Sequence, residues 1–141
     1  MKNVFIFSII ITAGIAGFYN WSRNPVAQKP DLIIVAVPKI GDTVKSPLII
    51  KGKARGFWFF EASFPIRIYD NDGRELGVAA AQAQGEWMTT EFVSFEATLE
   101  FKNPATEKGF LVLEKDNPSG LPENADELRV PIRFDSSVIK D

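Results

Sequence analysis

Phe95-Glu96-Ala97-Thr98-Leu99-Glu100-Phe101 alternates apolar and polar residues, so an extended segment here has one apolar face and one charged face. A helix would need its apolar positions three or four residues apart. The same period of two returns on both sides. Leu48 and Ile50 alternate with Ile49, Lys51 and Lys53; Phe64, Ile66 and Ile68 alternate with Pro65, Arg67 and Tyr69. Leu128, Val130, Ile132 and Phe134 alternate with Arg129, Pro131 and Arg133. Each reads as a half-buried strand. Leu32 to Val37 is apolar throughout and reads as a first strand, while Pro131, which cannot donate to a ladder, marks an edge.

Turn residues separate these runs: Lys45-Ser46-Pro47, Asn71-Asp72-Gly73, Gln84-Gly85, Asn103-Pro104 and Asn117-Pro118-Ser119-Gly120. No stretch after residue 25 has the pattern of an amphipathic helix. About seven short strands with turns at roughly ten-residue intervals predict an all-β fold, a β-sandwich with Greek-key connections.

Ahead of this domain stands a 16-residue apolar run, Val4 to Tyr19, behind Lys2 and flanked by Tyr19, Trp21 and Arg23. Two readings stay open. Ala13-Gly14-Ile15-Ala16-Gly17 offers the small residues of a signal-peptide cleavage site, after Ala16. Tyr19 and Trp21 stand where the interfacial aromatics of a single transmembrane helix would, although a span needs about 20 residues and Val4 to Trp21 supplies 18. Either reading exports the β-rich domain to the extracytoplasmic side of the membrane, anchored or secreted. The expected organisation is a signal or anchor over 1–21, a Pro-containing linker over 22–31, the domain over 32–135 and a C-terminal tail over 136–141.

Composition removes several classes of function. The chain has no cysteine and no histidine, which excludes disulfides, a lipid-modified cysteine, the usual nucleophile and base pairs and the common zinc sets. Glycines are scattered at turns and strand ends, so there is no phosphate-cradling loop and no cofactor is expected. The formal net charge of −2 becomes −4 over residues 24–141, where neither Lys2 nor Arg23 counts. A mildly acidic domain without a basic stripe argues against nucleic acid or anionic lipid as the main partner.

The run from Ser46 to Ala62, with Gly52, Gly56 and Phe57-Trp58-Phe59-Phe60-Glu61-Ala62, followed by Phe64-Pro65, resembles the immunoglobulin-like domain first described in bacterial spore germination proteins, the Gmad-type domain. Ile68-Tyr69-Asp70 with Asp72-Gly73, Gly85-Glu86-Trp87-Met88, Phe92 with Ser94-Phe95, and the stretch Lys115 to Glu123 continue the likeness in order. The resemblance implies an immunoglobulin-like sandwich, an envelope location and a binding role, with no catalytic residues to carry over. It does not imply sporulation. Germination proteins usually join this domain to a second one for which this chain leaves no room, so a stand-alone tethered module is expected.

The candidate binding residues are Trp58, Phe59, Glu61, Trp87, Asp116 and Asn117. Four consecutive aromatics, Phe57 to Phe60, cannot all face one side of a strand, so two should lie outside the core. Exposed Trp58 or Phe59 would offer a platform to a glycan or to a partner's apolar side chain; covered by a loop, they are core. Glu61, between aromatics, needs a partner, with Arg55 and Arg67 as candidates. Asp70 and Asp72 are a calcium candidate if the sandwich brings them to the acidic stretch 116–127; the plainer reading is a hairpin turn with Gly73 at positive φ.

Three functions compete. The first is a non-catalytic, monomeric, envelope-tethered module that recognises a cell-wall glycan or a protein partner through the aromatic segment or the 116–127 loop. A second is a structural subunit that assembles by strand addition at the Leu32 to Val37 or Leu128 to Phe134 edge. The third is a small glycosidase using Glu61 with Glu86 or Glu91.

Overall fold

The computed structural model describes residues 28–139. The signal or anchor of residues 1–21 and linker residues 22–27 lie outside them, and among the described residues no helix is long and apolar enough to cross a membrane. Eight strands form: β1 (Ile33–Val37), β2 (Thr43–Val44), β3 (Leu48–Arg55), β4 (Ser63–Asp70), β5 (Glu75–Ala83), β6 (Phe92–Leu99), β7 (Lys108–Glu114) and β8 (Glu127–Phe134). They make one sheet in the order β1-β3-β6-β5-β4-β7-β8-β2, antiparallel except where β2 runs parallel to β8. β3 lies beside β6 and β4 beside β7, so the chain crosses over between non-consecutive strands. β5 pairs with β4 from Gln82 to Glu75 but reaches β6 only through Gln82 and Ala83, so the sheet curls there and turns its apolar faces on each other.

The alternating runs supply the core in the expected phase. Leu48, Ile50, Phe64, Ile66, Ile68, Phe95, Ala97, Leu99, Leu128, Val130, Ile132 and Phe134 are all buried in one cluster. Phe64 sits edge-on between Phe59 and Phe95, with ring centroids 5.1 and 5.0 Å away, an arrangement aromatic quadrupoles favour. Gly109 is required by packing, because a Cβ there would run into the Tyr69 carbonyl and the Phe134 ring.

The Asp70 hairpin forms as a turn. Gly73 has φ +82°, and the buried Asp70 carboxylate accepts the amides of Asp72 and Arg74, each at 3.0 Å. Beyond β8, Asp135 accepts from the Ser137 amide at 3.0 Å and the Ser137 hydroxyl at 2.8 Å, bonds that hold its pKa below the usual value. This 3₁₀ turn, Ser136–Val138, brings Ile139 onto the core.

On the outer face of β4, Arg67 bridges Glu75 (2.7 Å) and Glu114 (3.1 Å), which ties three strands together. The Glu75 hydrogen bond raises the Arg67 pKa. Next to it, burial and then the Glu75 charge raise that of Tyr69. Both shifts belong to a structural network on the sheet face.

Candidate functional site

Two places stand out: the loops at one end of the curled sheet and the seam where its two edges meet. Gly56–Trp58 after β3 forms a 3₁₀ turn, so the Phe57-Trp58-Phe59-Phe60 segment is not a strand and its side chains do not alternate. Trp58 and Phe59 point inward, 0% and 4% exposed, while Phe57 and Phe60 are 47% and 42% exposed. The expected two aromatics do lie outside the core, but they are not the two named: Trp58 and Phe59 are core and present no platform. Trp58 is held by its carbonyl, which accepts the Asp116 amide at 3.0 Å. Its indole Nε1 has no hydrogen-bond partner among the described residues.

Glu61 and Ala62 come next, with φ +50° and +64°, a primed turn closed by two Phe60–Ser63 backbone bonds. Non-glycine residues in this region cost about 1 kcal/mol each or more. Glu61 is exposed at its tip, and the expected pairing with Arg55 or Arg67 does not form. Arg55 instead donates to the carbonyl of Asp31 at 2.9 Å, lies over the Phe92 ring at 3.9 Å and approaches Glu91 at 3.9 Å. Arg67 is committed to Glu75 and Glu114.

The other loops close on this turn. A Cβ at Gly56 would meet the carbonyls of Trp87 and Thr89, so the loop 84–91 packs directly on the backbone after β3. Trp87 is half-buried against the core and Met88 is 73% exposed. Lys115 lies over the Phe57 ring at 5.8 Å. Asn117 braces its own loop, donating to the Leu121 carbonyl at 2.9 Å and accepting from the Ser119 hydroxyl at 2.6 Å. The six sequence candidates thus gather at one end of the sheet, but as scaffold more than as surface. The exposed large apolar groups there are Phe57, Phe60, Met88 and Leu121.

Asp70 and Asp72 are not brought to the acidic loop. Asp70 pairs with Gly109 at the start of β7, whereas residues 115–126 follow its end, a strand length of about 17 Å away. Among the described residues no group of three metal-binding side chains gathers. The premise of the calcium reading is therefore absent. Glu61, Glu86 and Glu91 are all exposed: Glu86 accepts the Met88 amide at 3.0 Å and Glu91 faces Arg55. They do not enclose a substrate between them.

The seam is a groove of about 460 Å³ between β1, the connection to β2, and β8. Ile33, Leu128 and Val130 form its buried floor; Ile34, Val37 and Ile40 stand exposed at or beside it. Both walls are strand edges. Because the Arg55 amide donates to Leu32, the antiparallel alternation turns the N–H and C=O of Val35 away from β3, towards the open side. On β8 the Pro131 carbonyl accepts from Gly41 and the Arg133 amide donates to Asp42, so Arg129, of the same parity, also points its backbone outward. β2 covers β8 only at Arg133 and Phe134. The order ends β8-β2, so Pro131 lies one strand in from the formal edge and its missing donor faces the connection to β2, while β8 pairs with no strand on that side from Glu127 to Arg129. Both strands are marked in the sequence, but that they share a groove is not, since that depends on how the sheet curls.

The Gmad2 family model, the immunoglobulin-like domain of bacterial spore germination, matches residues 32–120. No curated protein and no solved structure matches the chain.

Proposed function

We propose a function from one premise: this chain belongs to the immunoglobulin-like domain family of bacterial spore germination. It is a non-catalytic module, held at the extracytoplasmic side of the membrane by its N-terminal apolar segment, that binds an extended segment of a protein partner in the groove between β1 and β8. One observation carries this reading: the outward backbone groups of Val35 and Arg129 flank a single apolar groove. An added strand would pair with an edge through its main chain and drop alternate side chains onto Ile33, Leu128 and Val130. A glycan would need an aromatic platform among its polar contacts, and no aromatic side chain lines the groove. That favours a protein partner over cell-wall glycan.

The test is photocrosslinking in living cells of the producing bacterium, with a benzophenone side chain at Ile34 and, as control, at the exposed Val78 on β5. A discrete adduct from Ile34 and none from Val78 is expected. Val35→Pro removes an outward N–H without breaking the β1–β3 ladder and should abolish the adduct. An adduct that survives Val35→Pro, or forms equally from Val78, would sink the strand-addition reading.

A further inference from the structure

The end at which the chain enters the domain is the end that carries its exposed aromatics. Lys29 bonds Asp126 at 2.6 Å, beside the loop that follows β7. Ile33 pairs with Ala54, two residues before Gly56–Trp58. Residues 22–28 connect Lys29 to Trp21, and the eight steps between them reach at most about 29 Å when fully extended. If Trp21 lies at the membrane interface, the tether holds Lys29 within that distance of the headgroups, and the loops 56–62, 84–91 and 115–126 are at the same end of the sheet. Phe57, Phe60, Met88 and Leu121 are 47%, 42%, 73% and 49% exposed there. The Asp70–Arg74 hairpin and the loop 102–107, at the opposite end, expose no large apolar side chain.

We infer that the bilayer holding the anchor is itself a ligand of this end, with Phe57, Phe60, Met88 and Leu121 resting in the headgroup region of a zwitterionic lipid surface. The inference rests on the anchored form of the function proposed above. A short tether makes the contact intramolecular, so a lipid affinity too weak to recruit a free protein still keeps the loops down. Phe and Leu are among the side chains that bury at the boundary between acyl chain and headgroup, and Met88 adds apolar area beside them. Glu61, Glu86, Asp116 and Glu123 lie in the same loops and would be repelled by an anionic surface, which selects zwitterionic headgroups. Docking in this way would hold the domain upright, with the β1–β8 groove running up its flank from the docked end.

The absence of cysteine permits a direct test on the full chain. Met88→Cys, Asp72→Cys and Ile10→Cys, each spin-labelled and reconstituted in phosphatidylcholine vesicles, are compared for collision with oxygen, which partitions into lipid, and with a water-soluble nickel chelate. Matching near-ultraviolet dichroism would certify the fold of each variant. The oxygen-to-nickel ratio at Met88 should be several-fold above that at Asp72 and shift towards the Ile10 value. Phe57→Ser with Phe60→Ser should return Met88 to the Asp72 value. Ile10 in lipid with Met88 as aqueous as Asp72 would overturn the docking and leave the anchor standing. An aqueous Ile10 would remove the anchor and the docking together. Nickel protection at Met88 that appears only when cell-wall fragments are added would assign this end to glycan instead.

Discussion

Truncating Trp58 separates the core reading of the aromatic segment from the platform reading. Trp58 is 0% exposed, so Trp58→Ala deletes a complete buried side chain and should cost about 3–5 kcal/mol. For the 112 described residues, typical stabilities are about 6–17 kcal/mol, so the loss is a large share of the whole. Trp58→Phe should behave differently. Three buried ring atoms are lost, worth about 2 kcal/mol of transfer free energy. The unpaired Nε1–H, whose desolvation costs about 1–3 kcal/mol, disappears with them. The terms nearly cancel, and a net change under about 1 kcal/mol is expected. Pulse proteolysis of the full chain in urea reads both variants without relying on tryptophan emission. With a slope of about 2 kcal/mol per molar urea, Trp58→Ala should lower the midpoint by about 2 M and Trp58→Phe by less than about 0.5 M. A Trp58→Ala midpoint close to the parent's would refute the core placement. A Trp58→Phe loss as large as that of Trp58→Ala would mean that Nε1 makes a bond the fold depends on.

Gly109→Ala should destabilise by about 1–3 kcal/mol, because the new Cβ is driven into the Tyr69 carbonyl and the Phe134 ring; Gly85→Ala, with open space around it, should stay within about 1 kcal/mol, and thermal midpoints of the pair would check the contrast. Tyr69 should ionise above the ordinary phenol value of 10.0, since burial and Glu75 both disfavour the phenolate. The folded state then holds its proton more tightly than the unfolded chain, so this contribution to stability is intact below pH 10 and is lost as the pH climbs through the raised value. Absorbance titration near 295 nm should show a late phase that Tyr69→Phe removes; a titration unchanged by that substitution would contradict the shift.

Period-two alternation was enough to place the inner faces of β3, β4, β6 and β8, because a strand with one wet face writes its orientation into every second residue. β5 and β7 were not legible in that way. Val78, Ala79, Ala80 and Ala81 carry little contrast along β5, and Val112 is buried although it faces outward between Arg67 and Arg129, so Leu111-Val112-Leu113 reads as uniformly apolar. The two-residue β2 is too short for any period. The aromatic run was misread for a related reason: alternation applies only to extended chain, and the 3₁₀ turn at Gly56–Trp58 resets which side chains point inward. The candidates of the binding set gather at one end of the sheet, away from the β1–β8 groove. Their roles came from packing that spacing does not encode, as with the Asp116 amide on the Trp58 carbonyl. The groove was half legible, since Pro131 and the apolar first strand announced its two strands but not that they face each other.

Amide hydrogen exchange on the full chain, alone and with the partner recovered by Ile34 crosslinking, tests the central claim most directly. Val35 and Arg129 amides should exchange fast in the free protein, while those of Ile34 and Val130, inside the ladders, exchange slowly; adding the partner should slow at least one of the two edge amides. Edge amides already protected in the free chain, or left as fast with the partner bound, would contradict an open groove that receives a strand.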